Sequence, residues 1–241
     1  MDRRVGIRAH RAARRGVLSS LLVAAVLSPV ALPTTAERST VISSGSRRSG
    51  AVALTFDDGW GSAACEQIAG MLRTHGAKAT FFINGYHLNA HPARWRRTLR
   101  GMPVGNHTRS HRDLVEQSDR VVRKQIRTNE AIHERVLGRP MLKLLRPPYG
   151  SYDRRVTRIA ARLGYGTVVL WNVSAADSSR AATVASITRR VTGARAGSII
   201  LMHCGRGTTA KALPAVIRHY QARGIRLVGL DELLGMASPD G

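Results

Sequence analysis

Short apolar runs alternate with longer amphipathic segments along most of the chain. Runs of about 4–8 apolar residues are typical of buried strands, and apolar positions spaced three and four residues apart are typical of helices. This pattern predicts strands at 51–56, 79–83, 102–104, 142–145, 165–171, 198–202 and 225–229. It predicts helices at 62–75, 91–100, 115–137, 152–163, 181–194, 210–222 and 231–235.

The alternation of strands and helices indicates parallel strands joined by crossover helices. Two architectures fit this pattern, an open doubly wound sheet and a barrel. No Gly-x-Gly-x-x-Gly sequence follows the first strand, which argues against a dinucleotide-binding sheet. The polar motifs described below follow strand ends, where barrel active sites lie. We therefore predict an α/β fold, a single-domain barrel of about seven parallel strands.

The N-terminal segment differs from the rest of the chain. A basic stretch is followed by apolar residues 17–32 and by small residues ending at Ala36. This order is typical of a secretory signal peptide, so we expect a secreted protein without a membrane span after cleavage; an uncleaved anchor is the alternative. The predicted organisation is signal peptide 1–36, flexible lead-in 37–50, folded domain 51–236 and tail 237–241.

The formal net charge is +23. The segment before residue 37 contributes +5, from six arginines and one aspartate, so about +18 remains in the rest. Such a charge favours an anionic partner, either an acidic cell wall, a nucleic acid or a membrane surface. Aromatic residues make up only 5% and do not interleave with dense basic runs. We therefore expect association with an anionic cell wall and no nucleic-acid binding.

The exported part contains two cysteines, Cys65 and Cys204. An even pair in an oxidising compartment is compatible with a disulfide. It is equally compatible with two buried free thiols, so the sequence leaves their state open.

The first predicted strand runs directly into Asp57, Asp58 and Gly59. Successive strand residues point in opposite directions, so neighbouring aspartates can face different partners, such as a metal and a water. Asp-Gly is also common in turns, and a turn is the alternative for this stretch alone.

His107 and His111 follow the third predicted strand, four residues apart. On a helical turn this spacing places both rings on one face, within reach of one ion. With one carboxylate they would form a site with open positions, which suits catalytic zinc or a similar divalent metal. Two surface histidines are the alternative.

Two further motifs also follow predicted strands. Arg146 begins the sequence Arg-Pro-Pro-Tyr-Gly, and an arginine there can hold a carboxylate ionised; a rigid surface turn is the alternative. His203 follows the apolar run 198–202. It is either a core histidine or a general acid at the end of a barrel strand.

The order Thr-Phe-Asp-Asp-Gly, His-Thr-x-Ser-His, Arg-Pro-Pro-Tyr-Gly and Leu-x-His resembles the polysaccharide deacetylases, the NodB-homology domain of carbohydrate esterase family four. The resemblance covers about residues 50–236. It implies a distorted, incomplete (β/α) barrel. It also implies metal-dependent hydrolysis of N-acetyl groups from an amino-sugar polymer, such as peptidoglycan or a chitin-like glycan.

The resemblance also implies roles for particular residues. The metal ligands would be Asp58, His107 and His111, holding one divalent ion, either zinc, cobalt or another. A metal-bound water would attack the acetyl carbonyl. The implied catalytic residues are Asp57 as base, His203 as acid, Arg146 to tune the base and Asp177 to steady His203.

The implied substrate-binding residues are Tyr149, which donates from its backbone to the oxyanion, and Leu201, which lines the acetyl pocket. Two positions depart from the family pattern. Trp60 replaces a proline and is predicted to stack on a sugar. Ser178 replaces a tryptophan of the acetyl pocket, and Trp171 is the predicted replacement for that wall.

The sequence is also compatible with two other functions. One is an acetyl esterase acting on acetylated xylan, because an ester leaves more easily than an amine at the same site. The other is a non-catalytic wall-binding relative. The presence of a base, an acid and metal ligands argues against the second, since binding alone requires no acid or base.

Overall fold

The computed structural model describes residues 37–237. Its strands are β1 Thr40–Ile42, β2 Ala51–Asp58, β3 Thr80–Ile83, β4 Leu144–Leu145, β5 Thr167–Val169, β6 Val173–Ser174, β7 Ile199–Cys204 and β8 Arg226–Val228. Its α-helices are α1 Ser62–Thr74, α2 Gly85–Ala90, α3 Pro92–Thr98, α4 Asp119–Leu137, α5 Arg154–Arg162, α6 Val184–Thr192, α7 Gly207–Ala222 and α8 Leu230–Leu233. Short 3-10 helices cover Arg47–Ser49 and Pro148–Gly150.

The strands form two parallel sheets that together make an incomplete barrel. One sheet has the order β3-β2-β7-β6, with β8 also pairing with β2, and the other has the order β1-β5-β4. Isolated parallel bridges Phe81–Val104 and Asn106–Leu145 connect the β3 edge with the β4 edge. Among the described residues β1 and β6 form no ladder with each other, so the barrel is open there. The predicted α/β class and incomplete barrel are confirmed.

Side-chain alternation along β2 determines which residues face the barrel interior. Val52, Leu54 and Phe56 pack in the apolar core between the sheet and the helices. Ala53 instead belongs to the interior core of the barrel. Asp57 lies four residues further along the same face, so its carboxylate is at the carboxyl end of the barrel interior.

Strand β7 repeats this arrangement beside β2. Asp57 lies opposite His203 in the parallel register, and aligned residues of parallel strands share a face. Cys204 points the other way, towards α1, where it forms a disulfide with Cys65. The structure thus decides the state of the two cysteines, and it ties the end of β7 to the first turn of α1.

Several sequence predictions differ from the structure. The predicted flexible lead-in 37–50 contains β1, whose β-branched residues pair with β5. Helix α4 begins at Asp119 rather than at 115, and Val115, which lies before the helix, is exposed. Residues 102–104 form only an isolated bridge, and neither α2 nor β6 was predicted.

The predicted signal peptide 1–36 and most of the predicted tail lie outside the described residues. Within residues 37–237, no helix has both the length and the apolar character that crossing a bilayer requires.

Candidate metal and acid–base site

Two carboxylates at the end of β2 reach the same site. Strand alternation alone would turn Asp58 away from the interior. However, Asp58 has a φ of 71° and Gly59 a φ of 94°, so the chain turns sharply at the strand end. As a result, Nε2 of His107 lies 3.8 Å from Oδ2 of Asp57 and 3.2 Å from Oδ1 of Asp58. Both aspartates are buried.

His107 and His111 approach the same carboxylate oxygen. Their Nε2 atoms lie 3.2 and 3.1 Å from Oδ1 of Asp58, and their ring centroids are 5.0 Å apart. The predicted helical turn is wrong, because the two histidines lie on an irregular loop. Thr108 and His111 in that loop adopt left-handed φ values of 65° and 54°.

A buried asparagine holds this loop in place. The side chain of Asn106 accepts a hydrogen bond from the backbone N–H of Thr108 and another from Nδ2 of Asn129. Its own Nδ2 donates to the carbonyl of Ile126 and to the hydroxyl of Tyr165. These hydrogen bonds fix the irregular loop, because breaking one of them would leave a further buried polar group unpaired.

The three side chains fit a divalent cation. One ligand atom from each of Asp58, His107 and His111 lies within 4.8 Å of the others. Nδ1 of His107 lies 2.7 Å from the carbonyl oxygen of Arg146, so Nδ1 carries the proton and Nε2 presents a lone pair. A lone pair facing a carboxylate oxygen is unfavourable unless a cation lies between them. In addition, no donor of the described residues satisfies the buried Oδ1 of Asp58.

The ionisation of Asp58 agrees with a ligand role. Burial raises the pKa of this carboxyl group, but the close approach of His107 and His111 in their protonated, metal-free form outweighs burial and holds its pKa below the usual aspartate range. An ionised carboxylate is the form that binds a metal.

Asp57 is paired with a fully buried arginine. Nη1 of Arg146 donates to Oδ1 of Asp57 at 2.7 Å and to the hydroxyl of Thr55 at 2.7 Å. The guanidinium also donates to backbone carbonyls of residues 169 and 170. It packs over the ring of Phe82, with its central carbon 4.2 Å from the ring centroid. Arg146 therefore places a buried guanidinium against Asp57 and fixes the orientation of its carboxylate.

His203 is oriented by Asp177. Its Nδ1 lies 2.8 Å from Oδ1 of Asp177, and its backbone N–H donates to Oδ2 of the same carboxylate at 2.8 Å. The hydroxyl of Thr209 donates to Oδ2 at 2.7 Å. Burial lowers the pKa of His203, but the hydrogen bond and charge of Asp177, with smaller contributions from Asp57 and Asp58, outweigh burial and raise that pKa. The imidazole is thus suited to hold a proton.

The predicted substrate residues surround this centre on different sides. Tyr149 is exposed and packs its ring against His111 at 4.7 Å between centroids. Trp171 lies beside Gly150 and beneath the guanidinium of Arg146. Leu201 is buried on β7, two residues before His203 and therefore on the same face.

Backbone strain is concentrated at the same place. Five described non-glycine residues have positive φ, which L-residues adopt only at a cost of about 1–3 kcal/mol each. They are Asp58, Thr108, His111, Tyr149 and Ala176, all within or next to the motifs above. Strain of this kind is retained where a precise side-chain arrangement requires it.

The family model for polysaccharide deacetylases matches residues 44–168, which contain Asp57, His107, His111 and Arg146. The chain belongs to the polysaccharide deacetylase family. This match ends before Asp177 and His203, so the placement of those two residues at the candidate site rests on the geometry of β7 and its neighbours.

Individual relatives agree with this assignment. The chain is 35% identical over 188 residues to the peptidoglycan-N-acetylglucosamine deacetylase PgdA of Listeria monocytogenes, a match covering 76% of this chain and 39% of that protein. It therefore spans about two fifths of the length of that relative.

Solved structures share the fold. A peptidoglycan N-acetylglucosamine deacetylase in complex with an N-oxidanyl-benzamide compound has a TM-score of 0.76 and 32% identity, covering 82% of this chain and 94% of that one. A family pseudoenzyme from Bacillus anthracis has a TM-score of 0.75 and 26% identity, covering 80% of this chain and 68% of that one. Fold similarity alone therefore does not distinguish enzymes from inactive relatives.

The sequence interpretation missed several residues of this candidate site. Thr55 was recoverable, because strand alternation places it on the same face as Asp57. Thr209 and Asn106 carried no local signal, since their roles depend on partners 32 and 59 residues away in the chain. Arg206 was also missed, and it lies against Trp60.

Proposed function

We propose that this protein is a secreted, metal-dependent deacetylase that hydrolyses N-acetyl groups of peptidoglycan. One observation carries the proposal. A carboxylate paired with Arg146 and an imidazole paired with Asp177 lie side by side on β2 and β7, next to three side chains that fit a metal. The similar proteins are peptidoglycan N-acetylglucosamine deacetylases, which supports an N-acetylated wall glycan as the substrate.

In this proposal Asp58, His107 and His111 hold one divalent ion, and zinc is the proposed metal. When bound, such an ion supplies Lewis acidity that polarises a carbonyl and acidifies water. Asp57 accepts the proton of the attacking water, and the hydrogen bond from Arg146 keeps Asp57 oriented for that step. His203 then donates its proton to the departing nitrogen, which is otherwise a poor leaving group.

The acetyl group requires a pocket and a donor for its carbonyl oxygen. In this proposal the backbone N–H of Tyr149 donates to that oxygen, while Leu201 and Trp171 contact the methyl group. Loss of one such donor typically costs about 3–4 kcal/mol of transition-state stabilisation.

A non-catalytic role is the main alternative, since pseudoenzymes exist in the family. The paired acid and base favour catalysis, because a binding protein gains nothing from burying Arg146 against Asp57. Burial of an ion pair is costly, and retention of this one supports a chemical role.

Secretion and wall association are part of the proposal. Both rest on the sequence of the first 36 residues and on the strong positive charge of the remainder. Binding to isolated anionic walls should weaken as salt is raised to about 0.5 M, because exposed charges are then screened beyond a few ångströms. Binding that is unaffected by salt would exclude the electrostatic explanation.

The decisive experiment combines metal analysis with a panel of acetylated glycans. Purified protein should contain one zinc, lose acetate release in excess chelator and recover it with zinc or cobalt. Acetate should be released from peptidoglycan and N-acetylglucosamine oligomers rather than from acetylated xylan. Full turnover in excess chelator would refute the metal-dependent mechanism, and xylan preference would favour the esterase.

A further inference from the structure

Trp60 packs face to face with the imidazole of His203. The two ring centroids are 5.5 Å apart and the ring planes differ by 25°. Trp60 is 42% exposed, so this contact lies at the rim of the site rather than in the core. The other neighbours act differently: Asp177 hydrogen-bonds to Nδ1 of the imidazole, and Thr209 donates to the carboxylate of Asp177.

The backbone around Trp60 is built to maintain this contact. A Cβ atom on Gly61 would lie 2.3 Å from the carbonyl oxygen of Gly205, so only glycine allows these two loops to touch. A Cβ atom on Gly205 would lie 2.8 Å from the indole of Trp60. The disulfide joins the same two segments, through Cys65 four residues after Gly61 and through Cys204 directly before Gly205. The loops after β2 and β7 therefore form one unit.

Arg206 adds a third contact. Its guanidinium lies over the indole of Trp60, 5.7 Å from the ring centroid, and its Nη2 donates to the carbonyl of Ser178 at 2.8 Å. Trp60 thus occupies the side of His203 next to Ser178, whereas Trp171 lies on the Arg146 side.

A hydrogen bond and a stacked ring restrain an imidazole differently. The bond from Nδ1 to Asp177 fixes one atom but allows the ring to tilt about the line between the two partners. A parallel aromatic ring fixes the plane, because offset stacking has a preferred separation and orientation. The direction of Nε2, the atom that would hand over the proton, requires both restraints.

We propose that Trp60 is a positioning residue for His203, holding the plane of the imidazole so that Nε2 is directed at the leaving nitrogen. This inference rests on the proposed function, in which His203 acts as the acid. It differs from sugar stacking, which would place the effect of Trp60 in substrate binding.

The leaving group provides the test. The zinc-loaded full chain and its Trp60→Ala, Trp60→Phe and Arg206→Ala variants are assayed on an N-acetylglucosamine oligomer and on p-nitrophenyl acetate. The amide requires protonation of its nitrogen, whereas the phenolate leaves without it. For Trp60→Ala we expect kcat on the amide to fall about 10- to 100-fold with little change in KM, and activity on the ester to change less than about 3-fold.

Conservative and control variants complete the design. Trp60→Phe should restore most of the amide activity, because a phenyl ring still stacks, and Arg206→Ala should show a smaller loss of the same kind. Tyr152→Ala removes an aromatic residue of the same 42% exposure outside the site and should leave both activities unchanged.

The possible outcomes separate this inference from the proposed function. An equal loss on both substrates, or a change in KM alone, would overturn the positioning role while leaving the deacetylase proposal intact. Unchanged amide kinetics in Trp60→Ala would overturn it as well. Zinc-loaded wild-type protein that releases no acetate from any glycan would instead refute the proposed function.

Discussion

Two buried carboxylates in this protein look alike and differ in the cation that each one faces. Asp57 is paired with Arg146, whose side chain is 0% exposed and whose guanidinium is also held by Thr55 and two backbone carbonyls. Asp177 is paired with His203, whose side chain is 16% exposed and borders the open rim of the barrel. The first pair contains a permanently charged guanidinium, and the second contains an imidazole whose pKa is raised by Asp177.

This difference supports the proposed division of the chemistry between a base and an acid. An arginine does not lose its proton under working conditions, so the Asp57–Arg146 pair can only accept a proton at its carboxylate. In the second pair the carboxylate accepts three hydrogen bonds and the imidazole keeps an exchangeable proton directed at the site. Pairs held in opposite protonation states are the usual basis of a base and an acid in one site.

The largest expected effect concerns the first pair. Asp57→Asn should lower kcat on both the amide and p-nitrophenyl acetate by about 10²- to 10⁴-fold, because proton removal from water is needed whatever the leaving group. Glycan binding, measured by calorimetry, should persist. The exposed carboxylate of Asp119 provides the matched control Asp119→Asn, which should leave turnover unchanged.

The same substitution should also affect stability. It leaves the buried guanidinium of Arg146 without its counter-charge, a change that typically costs about 3–5 kcal/mol. Circular dichroism of the variant is therefore required alongside kinetics. A folded Asp57→Asn protein with wild-type acetate release would contradict the assignment of the base.

The second pair should respond to pH and to the leaving group. Asp177→Asn removes the main influence that raises the pKa of His203, so burial would lower that pKa and the alkaline limb of the amide rate would move to lower pH. We expect a resolvable shift of that limb to lower pH, with a much smaller effect on the ester. An unmoved alkaline limb would exclude His203 as the titrating acid.

The pH dependence of the unfolding free energy tests the Asp177–His203 pair independently of the kinetics. His203 has a raised pKa in the folded protein, so its pairing with Asp177 stabilises the fold fully below the unfolded value of about 6.5. This contribution disappears as the pH rises through the folded pKa. Asp177→Asn should therefore reduce the unfolding free energy more at pH 5 than at pH 9, as measured by urea denaturation.

The sequence predicted the strand-end residues well because strand alternation and motif order are local. Alternation along β2 and β7 suffices to bring Asp57 and His203 onto one face once the strands are parallel neighbours. The same logic failed for Asp58 and His111, whose left-handed backbone breaks the regular periodicities on which the sequence argument relied. Left-handed residues other than glycine have no reliable local signature.

Contacts between distant segments were not predictable. The stacking of Trp60 on His203 depends on the glycine contact between Gly61 and Gly205, which joins loops far apart in the chain. The disulfide was undecided for the same reason, since the 139-residue separation of Cys65 and Cys204 says nothing about their distance. Only the parallel pairing of β2 with β7 places the two thiols together.

Removing the disulfide should have a smaller effect on activity, and this effect should fall mainly on the His203 pair. Replacing Cys65 and Cys204 by alanine opens a covalent loop of 139 residues, which should lower the unfolding free energy by about 2–5 kcal/mol. Because Cys204 follows His203 directly, residual loss of activity should be larger on the amide than on the ester. Equal losses on both substrates would indicate a general effect on the fold.

The smallest expected effect comes from replacing a threonine by valine beside each of the two carboxylate pairs. Thr55 accepts a hydrogen bond from Arg146 and donates to the carbonyl of Ile200, whereas Thr209 donates to Asp177. Thr→Val at either position removes a hydroxyl worth about 1 kcal/mol, or about 5-fold in rate. Thr55→Val should slow amide and ester hydrolysis alike, and Thr209→Val should slow only the amide. The same pattern for both variants would mean that the two carboxylate pairs do not have separate roles.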